Sequence, residues 1–102
     1  MIWDRLGVLT DEVSPDFEVA VNWAADRGLK HVEVRVVNGI NVSELTDEQT
    51  VNIRKIVEDY GLYISAIASP VFKCALDPGR RVQWGDTFGQ KEQSVEEHFK
   101  KL

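Results

Sequence analysis

Gly28-Leu29-Lys30-His31-Val32-Glu33-Val34-Arg35-Val36-Val37 decides the fold of this chain, because an amphipathic stretch stops at its glycine and a β-branched run begins three residues later. The same grammar returns at Gly61-Leu62-Tyr63-Ile64-Ser65-Ala66-Ile67-Ala68. The two glycines are separated by the length of an αβ unit, far more than a hairpin needs, so the chain reads as repeated β-α-β.

Working outward, the first helix is expected to start with Ser14 as N-cap and Pro15 in the first turn, and to stop at Gly28. Phe17, Ala20, Val21 and Ala24 recur at i, i+3, i+4 and i+7 and give it a buried stripe. Val19 and Trp23 suggest a second packing stripe on the same helix. Thr46-Asp47-Glu48-Gln49 has capping-box spacing and opens a second helix, whose inner face is Ile53, Ile56, Val57 and Tyr60 and whose stop is Gly61. The expected strands are Leu6 to about Glu12, His31 to Val37 and Tyr63 to Ser69. Strand-helix-strand-helix-strand implies parallel pairing with right-handed crossovers. From Pro70 to Gln93 no sustained period survives, which reads as a long loop. Ser94 to Leu102 then opens like a third helix, with Ser94 as N-cap and Glu97 three residues on. Three strands and two full helices read as the opening portion of a larger α/β fold, an incomplete domain over residues 1–102.

Face alternation carries the reading further. Val32, Val34 and Val36 fall on one side of the second strand, and His31, Glu33 and Arg35 on the other. On the third strand Ile64, Ala66 and Ala68 oppose Ser65, Ile67 and Ser69. Strands covered on both faces read as continuous hydrophobic runs. These do not, so helices on one face are expected, as in a (β/α)₈ barrel whose other strand face points inward.

Composition bounds the function classes. The chain has 102 residues, 43% hydrophobic and 28% charged, with 12 Lys+Arg against 17 Asp+Glu for a formal net charge of −5. This is ordinary globular usage. No basic cluster exceeds a pair, so neither nucleic acid nor an anionic membrane is an expected partner. Cys74 stands alone and cannot close an internal disulfide, and the N-terminus has no apolar signal core, so a cytoplasmic setting is expected. Cys74 reads as a small buried hydrophobe. There is no G-x-G-x-x-G, no P-loop and no H-E-x-x-H. His31 and His98 are too far apart for such a zinc site.

Gly7-Val8-Leu9-Thr10-Asp11-Glu12-Val13-Ser14, Val32-Glu33-Val34-Arg35 and Ala66-Ile67-Ala68-Ser69-Pro70-Val71-Phe72-Lys73-Cys74 resemble, in that order, the first three strand ends of the sugar phosphate isomerase/epimerase family. The resemblance runs over about residues 6 to 102 and includes the Glu96-Glu97-His98 stretch. It implies a xylose-isomerase-like TIM barrel, of which this chain would hold about the first three βα units. Whole barrels of this kind run to roughly 250 to 300 residues.

The resemblance also implies a metal-dependent enzyme that moves a proton on a sugar or sugar phosphate through an enediolate. Its divalent metal (Mn, Mg or Zn) would be held by Glu, Asp and His side chains beyond Leu102, so this chain alone is expected to be inactive. The residues expected to wall the sugar site are Glu12, Glu33, Arg35, Ser69 and Lys73. Arg35 would offer a planar fork of donors, and Glu33 a carboxylate that accepts from hydroxyls. Of the adjacent Asp11 and Glu12, only one can face inward, and the register with Val8 and Thr10 favours Glu12. Two other readings stay open: a metal-dependent endonuclease-like barrel acting on damaged DNA, and a non-enzymatic α/β module that binds a partner. Exposed strand edges also suggest self-association.

Overall fold

The computed structural model describes residues 2–69. The expected loop over 70–93, the expected helix over 94–102 and the reading of Cys74 lie outside the described residues. A short 3₁₀ turn at Ile2–Arg5 leads into β1 (Gly7–Leu9), α1 (Thr10–Val13), α2 (Phe17–Asp26), β2 (His31–Val34), β3 (Val36–Val37), β4 (Ile40–Asn41), α3 (Asp47–Asp59) and β5 (Tyr63–Ile67). A second 3₁₀ turn, Val42–Glu44, precedes α3.

The main sheet has the order β1-β2-β5, and both pairings are parallel. The repeated Gly-Leu grammar has a clear structural basis. At the end of α2, the Gly28 N–H donates to Ala25 O (3.0 Å) and the Leu29 N–H to Ala24 O (3.1 Å). At the end of α3, the Gly61 N–H donates to Glu58 O (2.9 Å) and the Leu62 N–H to Val57 O (3.0 Å). Both are Schellman stops, which need a left-handed residue at the first position past the cap. Gly28 (φ 78°) and Gly61 (φ 77°) meet that need without the Cβ penalty. Leu29 and Leu62 then turn back onto the core.

One core cluster joins Phe17, Val21 and Ala24 of α2 and Ile53 and Val57 of α3 to Val32 and Val34 of β2. Both long helices therefore cover the same face of the sheet. Val21 and Val32 are fully buried, and each such aliphatic side chain contributes about 1.5–3 kcal/mol through burial. The capping box that opens α3 is complete: Thr46 Oγ1 accepts from the Gln49 N–H (3.1 Å) and Gln49 Oε1 from the Thr46 N–H (2.9 Å).

Several expectations are corrected. The first strand stops at Leu9, and Thr10–Val13 is a turn of α-helix instead of strand. The N-cap of α2 is Asp16, whose side chain accepts from the Val19 N–H, while Ser14 Oγ accepts from the Asp16 N–H one step earlier. Val19 and Trp23 form no buried stripe: they are 55% and 36% exposed, and the Arg27 guanidinium lies over the Trp23 ring, 4.3 Å from its centroid. The second strand ends at Val34, with Arg35 at a bend, so Val37 and not Val36 is buried. Val36 and Val37 instead form a hairpin with Ile40 and Asn41 across Asn38-Gly39, both left-handed (φ 51° and 81°). That pair of conformations is what a two-residue hairpin turn demands.

On β5 the register slips between the Val32 and Glu33 pairings, so that Glu33 pairs with Ala66 and Val34 with Ile67. The alternation inverts there, and Ile67, not Ala66 or Ala68, shares the helix side with Val34. The strand ends at Ile67, short of Ser69.

Candidate functional site

The strand face opposite the helices carries the polar residues. Glu33, between the buried Val32 and Val34, is half-buried on that face. Arg35 follows at the C-terminal end of β2, and the α1 turn brings Asp11 to it from the C-terminal end of β1. Arg35 Nε donates to Asp11 Oδ2 at 3.0 Å, and Arg35 Nη2 lies 2.9 Å from the same oxygen. Both side chains are largely buried, 18% and 15% exposed. Glu12 Oε1 is 3.8 Å from Arg35 Nη2, and the Glu12 side chain is 61% exposed.

The inward acid is thus Asp11, not Glu12. The preference for Glu12 assumed a strand that continued past Leu9, and a helical turn advances each residue by about 100° instead of 180°. The signal was present in Thr10-Asp11-Glu12, where two acids fall in the first turn of a helix. Ser69 is exposed just past β5, at the same end of the sheet. Lys73 lies outside the described residues. The structure therefore brings Arg35 to Asp11 and Glu12, with Glu33 two residues earlier on the same strand, about 7 Å along it.

Two buried polar atoms at this end, Thr10 Oγ1 and Asp11 Oδ1, have no hydrogen-bond partner among the described residues. Buried polar groups are ordinarily matched. Among the described residues such a pair of unmatched atoms beside a charged side chain is found at the C-terminal end of the sheet, the end where ligands of parallel α/β folds bind.

At the other end, sequence reasoning missed a second polar pair. His31 Nδ1 lies 2.8 Å from Ser65 Oγ, and the His31 ring sits 5.4 Å from the ring of Tyr63. Ser65 stands at the register slip in β5, which no residue pattern announced.

The helix side has a different character. A groove of about 440 Å³ beside β5 is lined by Val34, Leu45, Ile53, Val57, Ile64 and Ile67. It is apolar and has no counterpart to the Arg35 cluster, apart from Arg54 and Glu58, which pair with each other at 2.9 Å.

Among the described residues no group of three or more His, Cys, Asp or Glu side chains is placed to hold a metal ion. Asp11 is committed to Arg35, whose fixed positive charge opposes a dication nearby. The described residues therefore do not fit the divalent metal that the family resemblance implies. No described helix is long and apolar enough to cross a membrane. Comparisons with protein-family models, with curated proteins and with solved structures found no match.

Proposed function

We propose that this chain is the opening part of a (β/α)₈ barrel of the sugar phosphate isomerase/epimerase kind, and that it contributes the wall of a sugar site at the C-terminal ends of its strands. The observation that carries this reading is the Arg35–Asp11 pair. It sits at the carboxyl ends of the parallel strands β1 and β2. The salt bridge to Asp11 fixes the orientation of the guanidinium, a planar charged group suited to the wall of a sugar site. Glu33, on the strand face opposite the helices, supplies acceptors for hydroxyl hydrogens.

In this proposal the residues that move the proton next to the sugar carbonyl, and the divalent metal that polarises its oxygens, lie outside the described residues. No chemical step is assigned to Arg35, Asp11 or Glu33, which bind and orient. Self-association through β1 and β5, the outer strands of the sheet among the described residues, belongs to the same proposal, since edge strands offer backbone groups for pairing.

The test is a titration of the ¹⁵N-labelled chain with a ketohexose and with its phosphate ester, followed by NMR. Saturable shifts at Asp11, Glu33 and Arg35 are expected with at least one of them, and loss of those shifts in Arg35→Ala. Shifts confined to the helix side, or absent throughout, refute the sugar-wall role.

A further inference from the structure

We infer that Ser65 and His31 form a nucleophile–base pair that takes the acyl group of a small carboxylic ester. The pair stands toward the other end of the sheet from Arg35 and Asp11, and the inference is independent of the sugar-wall reading.

The first argument is reach. Ser65 Oγ lies 2.8 Å from His31 Nδ1, within the distance a base needs to take a hydroxyl proton. A second acceptor for this hydroxyl, Val32 O, is at 3.4 Å, near the long limit of a hydrogen bond. An imidazole that carries its proton on Nε2 presents Nδ1 as an acceptor, and the hydroxyl then donates along the shorter contact. Other hydroxyls of the chain are spent on backbone groups at helix starts: Ser14 Oγ accepts from the Asp16 N–H, Thr46 Oγ1 accepts from the Gln49 N–H and Thr50 Oγ1 donates to Thr46 O. Ser65 has no such task. Among the described residues it is exposed and His31 is half-buried, so a reactant meets the nucleophile before the base.

The second argument is that both partners are held in place. A Cβ at Gly7 would overlap His31 Nδ1, so the glycine leaves the space that the ring fills. The Tyr63 ring lies 5.4 Å from the imidazole, tilted by 36°, and its exposed surface offers an apolar rest for an acyl group. Ser65 is aimed by the register slip. Val32 pairs with Ile64 and Glu33 with Ala66, which leaves Ser65 as the extra residue between the two pairings. Extra residues of this kind re-aim a side chain and are over-represented beside active sites. A hydroxyl within reach of a base that is itself oriented is the arrangement that activates a serine.

In the first half of the reaction Ser65 Oγ bonds to the acyl carbon as its proton passes to His31 Nδ1. The bond from that carbon to the ester oxygen breaks, and the leaving oxygen takes the proton from the imidazolium to depart as the alcohol. In the second half water bonds to the acyl carbon and gives its proton to Nδ1. The bond to Ser65 Oγ then breaks, the hydroxyl regains a proton from the imidazolium and the carboxylic acid is released. No redox partner enters either half.

The experiment incubates the full chain with p-nitrophenyl acetate, follows acetylation with time and maps the acetyl groups by peptide mass spectrometry. Acetylation of Ser65 is expected, slowed about 100-fold in His31→Gln by loss of the base. Gly7→Ala, which displaces the ring and keeps both reacting residues, is expected to slow it by about the same factor. Acetyl groups confined to lysines or the amino terminus, with Ser65 unmodified in the parent chain, would overturn the inference. So would acetylation of Ser65 that His31→Gln leaves at the parent rate, with His31→Asn in its place should the glutamine variant fail to fold. The mapping in the parent chain needs no variant. Neither outcome bears on the ketose-induced shifts at Asp11, Glu33 and Arg35, so failure of this inference is distinct from failure of the sugar-wall reading.

Discussion

The imidazole of His31 lies against the α-carbon of Gly7 on the neighbouring strand, so closely that a Cβ at Gly7 would overlap His31 Nδ1. The two residues are partners in the parallel register of β1 and β2. Gly7 is thus required by close approach and not by backbone conformation. The ring that fills its space is held on the far side by Ser65 Oγ, at 2.8 Å. Gly7→Ala is expected to force the ring out and destabilise the fold by about 1–3 kcal/mol, the usual range for overpacking. His31→Ala in the same chain should recover most of that loss. Urea unfolding of the two single variants and the double variant gives the coupling directly, and a double variant no more stable than Gly7→Ala alone would refute the steric account.

Asn38 has two tasks at once. It adopts a left-handed conformation at φ 51° in the β3–β4 turn, and its Oδ1 accepts from the Phe17 N–H at 2.9 Å, closing the start of α2. Asn38→Gly keeps the turn and removes the cap, whereas Asn38→Ala loses both. The expected cost is about 1 kcal/mol for the glycine variant. The alanine variant should cost more, by the strain of a Cβ at positive φ, about 1 kcal/mol further. Equal stabilities of the two variants would show that only the cap matters.

The parts of this fold legible in the sequence are those set by local chemistry. Thr46 and Gln49 announce the start of α3, Gly28 and Gly61 announce two helix stops, and Val32 and Val34 announce the buried side of β2. The parts that escaped are set by partners distant in the chain. Nothing near Ser65 signals a register slip, because the slip reflects its pairing with β2. Asn38-Gly39 does carry a hairpin signal, but it follows directly on a β-branched run, His31 to Val37, that reads as one strand. The same error moved Arg35 from mid-strand to a bend and left Asp11, not Glu12, as its partner. The acid that pairs with Arg35 differs from the one the alternation favours, because strand alternation was extended past the point where a helical turn takes over.

Tyr60 gives a pH-dependent prediction. Its hydroxyl donates to Glu18 Oε1 at 3.3 Å, linking α3 to α2. Partial burial first, and the nearby Glu18 carboxylate second, raise its pKa above the ordinary value of 10.0. A raised folded-state pKa means that the folded chain holds this proton when the unfolded chain releases it. The corresponding stability is complete below about pH 10 and is lost as pH rises through the folded-state value. The chain has two tyrosines, so ultraviolet titration in a Tyr63→Phe background isolates Tyr60. Glu18→Gln is expected to lower the Tyr60 pKa partway toward 10, the burial contribution remaining. A midpoint that Glu18→Gln leaves unchanged would remove Glu18 from the account.

The Arg35–Asp11 pair makes opposite predictions for removing one partner and for removing both. Asp11→Ala leaves a guanidinium only 18% exposed without its main counter-charge, and Glu12, at 3.8 Å and largely solvated, compensates only in part. Breaking a largely buried pair in this way costs about 3 kcal/mol when nothing replaces the lost partner, and Glu12 should reduce that to about 2 kcal/mol. Replacing both residues by apolar ones of similar volume, Asp11→Leu with Arg35→Met, should cost less than either single change. The desolvation of two charges is then avoided as their attraction is lost. This contrast separates a pair kept for stability from one kept for its ligand. If the double variant unfolds at a urea concentration equal to or above that of the parent chain while losing the ketose-induced shifts at Glu33, the pair is retained for binding. If instead the double variant is as unstable as Asp11→Ala, the ion pair is a structural tie between α1 and β2, and the sugar-wall role of Arg35 loses the support that its unusual burial gives it.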